Sequence, residues 1–252
     1  MSGGATVHIS ADAAALATLA VAVASEAITT AVRERGVANV MFASGNSQFD
    51  FLDRLVASGR VEWERLVGLH MDEYVGIGPD HPASFARYMQ EKIIERVSLR
   101  EFHLIDGRAD PKAECDRYAA LLADHPLDLC VMGIGENGHL AFNDPPVADF
   151  SDPQPVKVVE LDAACRAQQV GEGHFARVDE VPPRAITVTI PALLRARSVI
   201  VIAPESRKAR PVAAALDGPV TTACPASILQ LTPHAQVFLD PASAADLRTS
   251  RG

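Results

Sequence analysis

The chain has 252 residues, 48% of them apolar and only 5% aromatic, with 32 acidic against 23 basic side chains and a formal net charge of -9. That length fits one α/β domain over residues 1–252, with a core built mainly from Ala, Val, Leu and Ile. The acidic balance argues against nucleic acid or an anionic membrane as the main partner, so an anionic substrate would need a local cationic spot.

An Ala-rich stretch over residues 13–24 comes first; no Lys or Arg precedes it and Asp12 sits at its edge. It predicts a helix capped by Ser10 or Asp12 and ending at Gly36, not a signal-peptide core. At 12 residues the stretch is also shorter than the about 20 apolar residues that cross a bilayer. Strands are predicted at 39–43, 65–70, 102–104, 127–133, 156–161, 185–190, 198–203 and 236–239, with amphipathic helices between them. This alternation predicts right-handed βαβ units and a largely parallel sheet in a three-layer α/β/α, Rossmann-like arrangement. Phe85, Tyr88, Met89, Ile93 and Val97 recur at three- and four-residue spacing and predict one buried stripe on a helix over 83–97. Between Pro145 and Pro183 the composition turns to Pro, Asp and Gln with one convincing strand, as expected of a lid inserted into the domain or of a plain surface insertion. Cys115, Cys130, Cys165 and Cys224 are widely spaced with no Cys-x-x-Cys pair, which points away from a zinc site or a disulfide framework and toward the cytoplasm. The oligomeric state stays open, with a homo-oligomer among the options.

Four predicted strand ends carry chemistry, and a parallel sheet gathers such ends on one edge. The first, Ala43-Ser44-Gly45-Asn46-Ser47-Gln48, is a small hydroxyl-bearing turn opening a helix. It offers free N–H groups and the positive end of a helix dipole to a phosphate, or it is an ordinary capped turn. The second is His70-Met71-Asp72-Glu73-Tyr74, where an extended backbone lets at most one of the adjacent carboxyls face a site while the other serves as a structural partner. The third follows the apolar run 127–132: in Gly133-Ile134-Gly135-Glu136-Asn137-Gly138-His139, three glycines allow close backbone approach and His139 can exchange protons near neutral pH. Asp144 is the first candidate to orient that ring, Glu136 the second. The fourth, Ala203-Pro204-Glu205-Ser206-Arg207-Lys208, supplies the missing positive charge through Lys208 or Arg207.

Together these stretches resemble the glucosamine-6-phosphate deaminase family, which shares its fold with the 6-phosphogluconolactonases. The likeness runs from about Asn39 to about Asp240 and rests on Met71-Asp72-Glu73-Tyr74-Val75-Gly76, His81-Pro82-x-Ser84-Phe85, Gly133-x-Gly135-x-Asn137-Gly138-His139-x-Ala141-Phe142-Asn143, Ser206-x-Lys208-Ala209 and Ala226-Ser227-x-Leu229. It implies a hexosamine 6-phosphate substrate, isomerised from aldose to ketose with loss of ammonia. Asp72 matches the family's general base, His139 the group that helps to open the sugar ring, and Lys208 with Ser44, Gly45, Asn46 and Ser47 the phosphate-binding groups. The resemblance implies no metal or organic cofactor.

The chain also departs from the family pattern. Asp144 stands where well-known deaminases have Glu, and Asn137 where some have Asp. Asn cannot act as acid or base, so a carboxylate relay rests on Asp144 or Glu136. The substrate-contacting arginine of the insertion has no secure counterpart, with Arg166 and Arg177 as candidates. Asp152 and Glu160 occupy the region where allosteric members carry basic residues, which predicts weak or absent activation by an acetylated sugar phosphate. A sugar-lactone hydrolase and a non-catalytic sugar-phosphate sensor are the rival readings. Lactonases usually carry Asp-Glu-Arg where this chain has Asp72-Glu73-Tyr74.

Overall fold

In the computed structural model, which describes residues 3–248, the chain folds as β1 (Thr6–Ile9), α1 (Ala13–Arg35), β2 (Ala38–Phe42), α2 (Phe49–Ala57), β3 (Leu66–His70), β4 (Asp72–Tyr74), α3 (Phe85–Met89), β5 (Glu101–His103), α4 (Pro111–Asp124), β6 (Leu129–Met132), β7 (Val156–Glu160), α5 (Ala163–Gly171), β8 (Arg184–Val188), α6 (Ile190–Leu194), β9 (Ser198–Ile202), α7 (Ala209–Asp217) and β10 (Ala235–Leu239). Seven strands form a wholly parallel sheet in the order β1-β10-β9-β6-β2-β3-β5. The other three form a separate antiparallel sheet, β4-β8-β7.

Strand alternation produces the three layers. On β2, Val40 and Phe42 point into one apolar cluster and Met41 into the other. The first cluster takes in Leu16, Ala20, Ala24 and Ile28 of α1, with Phe51, Leu52 and Leu55 of α2. The second takes in Tyr118 of α4, Leu193 of α6 and Val212 and Leu216 of α7. Asp12 caps α1 by accepting from the Ala15 N–H at 2.8 Å, and Gly36 closes it in the left-handed conformation at φ 77°. At 23 residues α1 is longer than the 12-residue stretch counted from sequence, and it is long and apolar enough to cross a bilayer. The expectation of too short a segment is therefore corrected, although here its inner face packs on the sheet as a core helix.

Other expectations are corrected as well. The strands predicted at 156–161 and 185–190 exist but belong to the antiparallel sheet, and β1 and β4 are additional. The helix expected over 83–97 is α3 followed by a wide turn over Gln90–Ile94. Its stripe is divided: Met89 and Ile93 join the core under α1 and α2, whereas Phe85 packs with Tyr74, Phe142 and Phe175 in a third cluster beside the cleft. Residues 145–183 contain β7 and α5, so this insertion is built of regular structure and joined to the body through β8.

The turn after β4 is held by Gly107, whose carbonyl accepts from the Gly76 N–H at 2.6 Å. A Cβ on Gly107 would fall well inside contact distance of the Tyr74 and Ile77 carbonyl oxygens, neither of which can swing away as a side-chain tip can. Gly107→Ala should therefore cost about 1–3 kcal/mol, the usual range for overpacking. A lowered urea midpoint with an unchanged m-value would show it, and an unchanged midpoint would contradict it.

Candidate active site

The strands β9, β6, β2 and β3 are consecutive neighbours, and the chain runs from β2 toward β3 in one direction and from β6 toward β9 in the other. Such a switch point leaves a crevice beyond the carboxyl ends of the strands. All four predicted chemical loops leave from these ends. They surround a cleft lined by Ser44, Gly45, Asn46, Ser47, Asp72, Gly133, Gly135, His139 and Lys208, with Phe85, Ala141 and Phe142 as apolar wall.

At the end of β3 the chain leaves the parallel sheet at Met71 and enters β4, where Asp72 pairs with Thr187 and Glu73 with Ile186. Extended geometry sends the two carboxyls apart. Glu73 turns inward and accepts four hydrogen bonds, from Tyr74 N at 2.9 Å, Ser84 Oγ at 2.7 Å, Phe85 N at 3.2 Å and Ala86 N at 2.8 Å. It thereby binds β4 to the start of α3. Asp72 faces the cleft, and its carboxyl accepts no hydrogen bond among the described residues. Burial, with the neighbouring Glu73 charge second, pushes the Asp72 carboxyl well above the usual carboxylate range. The nearby His70 is no rival acid or base. Its Nε2 accepts from Ile105 N at 2.7 Å, and burial together with Arg117 holds its pKa down at about 3.

The loop after β6 wraps a tight turn around His139. Gly135 donates to the His139 carbonyl at 3.0 Å, and any Cβ at Gly135 would collide with the imidazole, so this glycine is required by close approach. His139 Nδ1 lies 2.8 Å from Asp144 Oδ1. Asn137 ties the pair together, its Nδ2 donating to Asp144 Oδ1 at 3.0 Å and its Oδ1 accepting from His139 N at 3.0 Å. Burial alone would raise the Asp144 carboxyl, but the imidazole, the Asn137 amide and the Cys165 thiol hold it below the usual range. Cys165 lies within 4.8 Å of both the ring and the carboxylate, and like the other three cysteines it is free. Asn143 fixes the end of the turn by donating to the Val188 carbonyl at 2.9 Å, and Phe142 N donates to Thr187 Oγ1 at 3.1 Å. Ala141 holds φ at 51°, an unusual conformation for a non-glycine residue that brings the turn against the cleft.

The same cleft also offers groups that suit an anion. Gly45, at φ 149°, opens the turn Asn46–Gln48 ahead of α2, and the buried Ser44 Oγ has no hydrogen-bond partner among the described residues. Lys208 ends the short turn Ser206–Lys208 after β9. Glu205 starts this turn at φ 78°, and its N–H donates to Asp240 Oδ2 at 3.0 Å. The Lys208 side chain is buried with no ion pair among the described residues, and burial lowers its pKa.

Other candidates fall outside this constellation. Glu136 is exposed and contributes only its backbone N–H, bonded to Gln168 Oε1 at 2.9 Å, so orientation of the ring falls to Asp144. Arg166 donates to the Val178 and Val181 carbonyls, and Arg177 pairs with Asp179; neither lines the cleft. Arg207 pairs with Glu205 at 2.9 Å. Sequence reasoning missed Gln168, Gln169, Glu172 and His174, which α5 and the turn after it bring over the opening. The Gln-rich composition of that segment was the available signal.

With this geometry in view, a family model described as glucosamine-6-phosphate isomerases/6-phosphogluconolactonase matches residues 11–238. The chain belongs to this family. A glucosamine-6-phosphate deaminase of Lactobacillus delbrueckii subsp. bulgaricus is 34% identical over 216 residues, covering 85% of this chain and 90% of the relative. One from Streptococcus pneumoniae is 36% identical over 206 residues, 81% of this chain and 85% of the relative. A solved monomeric glucosamine-6-phosphate deaminase superposes with a TM-score of 0.86 at 25% identity, over 96% of this chain and 99% of that one.

The raised Asp72 carboxyl fixes the sign of a stability effect. The folded form keeps this proton to higher pH than the unfolded chain, so ionisation costs stability as pH rises above the ordinary carboxylate value of about 3.9. At neutral pH Asp72→Asn removes that cost and should stabilise the fold by about 1–2 kcal/mol, the size common when a functional residue is relieved of strain or desolvation. The advantage should vanish below about pH 4. A destabilised Asp72→Asn protein at pH 7 would contradict the burial of a charged base.

Proposed function

We propose that the cleft isomerises and deaminates glucosamine 6-phosphate to fructose 6-phosphate and ammonia. The observation that carries this reading is the meeting, in one cleft, of an unpartnered, desolvated carboxylate, an imidazole held by Asp144, and a loop with an orphaned hydroxyl beside a buried lysine. The relatives' names supply the substrate.

With the phosphate seated among the Ser44 to Ser47 turn and Lys208, the sugar extends toward Asp72 and His139. His139 passes a proton to the ring oxygen and opens the hexose, and Asp144 stabilises the ring as its charge changes. Asp72 then removes the C2 proton and returns it to C1, through an enolamine, the nitrogen counterpart of an enediol. Proton transfer leaves a C2 imine, and addition of water followed by loss of ammonia gives the ketose. Isomerisation and a hydrolytic step are thus both part of the reaction. The two proton-transfer groups serve different atoms, and their environments differ accordingly: Asp72 is held up by desolvation, whereas His139 stands against the Asp144 carboxylate, itself held down by hydrogen bonding. The phosphate grip supplies the positioning.

Purified protein should release ammonia from glucosamine 6-phosphate and leave 6-phosphogluconolactone intact; the reverse pattern would favour the lactonase reading. Asp72→Asn should lower kcat by about 10²–10⁴-fold, the usual contribution of a general base, with sugar-phosphate affinity nearly unchanged. Because the base must be ionised, kcat/KM should rise with pH through a limb displaced above about pH 4, since burial raises the Asp72 carboxyl. Lys208→Ala should raise KM at least about tenfold, equivalent to about 1.4 kcal/mol of lost binding, and an unchanged KM would remove Lys208 from the phosphate grip.

A further inference from the structure

The anion cradle already contains an anion. Glu172, one residue beyond α5, lines the same cleft as the Ser44 to Ser47 turn and Lys208, and its side chain is 8% exposed. Its Oε1 accepts from Gln168 Nε2 at 2.9 Å and lies 3.7 Å from Arg207 Nη1, while Oε2 lies 3.5 Å from His174 Nε2. Its carbonyl accepts from the Asn46 side chain at 3.2 Å, joining the end of α5 to the turn expected to hold phosphate. Burial would raise this carboxyl, but His174, Gln168, Lys208 and Arg207 together bring it down to about 2, so it is charged at any working pH. A fixed carboxylate among the cations of a phosphate site is costly once the dianion arrives, because like charges in a partly dry cleft repel.

We propose that Glu172 is an internal stand-in for phosphate, a specificity-determining residue that the substrate's phosphate displaces from the cradle. The proposal rests on the phosphate reading of the site. In the unliganded protein the carboxylate compensates Lys208, which has no ion pair among the described residues, and shares Arg207 with Glu205. Binding is then an exchange of anions. A phosphate dianion can win that exchange through its second charge and through the Ser44 hydroxyl and loop N–H groups, whereas an unphosphorylated sugar brings nothing to displace Glu172.

The test is inhibition of ammonia release by inorganic phosphate, measured on wild type, Glu172→Gln and Lys208→Ala. Glu172→Gln should tighten the phosphate Ki by about tenfold, or about 1.4 kcal/mol, by removing the competitor while keeping a similar shape. Lys208→Ala should weaken it. If Lys208→Ala weakens phosphate while Glu172→Gln leaves it unchanged or weaker, displacement is wrong and the phosphate site stands. If neither variant alters the Ki, the phosphate site itself is misplaced and the proposal falls with it.

Discussion

Two carboxyls adjacent in sequence cannot share one side of an extended backbone, and the site depends on that constraint. β4 is only three residues long, yet its pairing with β8 fixes which of Asp72 and Glu73 looks into the cleft. Glu73 satisfies four donors and ties β4 to α3, so the strand cannot roll. That anchoring leaves the Asp72 carboxyl buried and without a hydrogen bond among the described residues, the arrangement that makes a carboxylate basic. Stability is concentrated in one carboxyl and reactivity in its neighbour.

The parallel sheet makes this local constraint useful. Because β9, β6, β2 and β3 are neighbours, a base after β3, an imidazole after β6, a hydroxyl turn after β2 and a lysine after β9 converge although they span residues 44 to 208. The small antiparallel sheet holds the converging parts in register. β8 pairs with β4 beneath Asp72, and Thr187 and Val188 of the same strand hold the Phe142 and Asn143 backbone and side chain. One strand therefore sets the placement of the base and of the turn that carries the proton shuttle. Replacement of Glu by the shorter Asp144 is compatible with this arrangement, since Nδ1 and Oδ1 still stand 2.8 Å apart and Asn137 bridges the carboxylate to the backbone of the histidine.

Much of this was legible in the residues. Alternating apolar runs revealed six of the seven parallel strands, and the turns ending four of them named Ser44, Asp72, His139 and Lys208. The period-two argument also predicted that Asp72 and Glu73 would divide their roles. What escaped was set by tertiary contacts. β4 has three residues, too few for a periodic signal, and owes its strand geometry to β8. β1 is a short edge strand whose partner β10 lies some 230 positions away, Thr6 pairing with Gln236. Phe85 fits a helical stripe by spacing but is drawn to Tyr74 and Phe142 at the cleft wall. Glu172 and its neighbours sit in a segment whose polar composition reads as surface until α5 is laid over the opening.

The central claim is that one hexose phosphate touches all of these groups at once. A crystal structure with an amino alditol 6-phosphate, an open-chain mimic that lacks the carbonyl needed to isomerise, tests it most directly. The account predicts the phosphate against Ser44 and Lys208, C2 beside the Asp72 carboxylate and the C5 oxygen beside His139. A ligand whose phosphate lies elsewhere, or whose C2 is out of reach of Asp72, would contradict it.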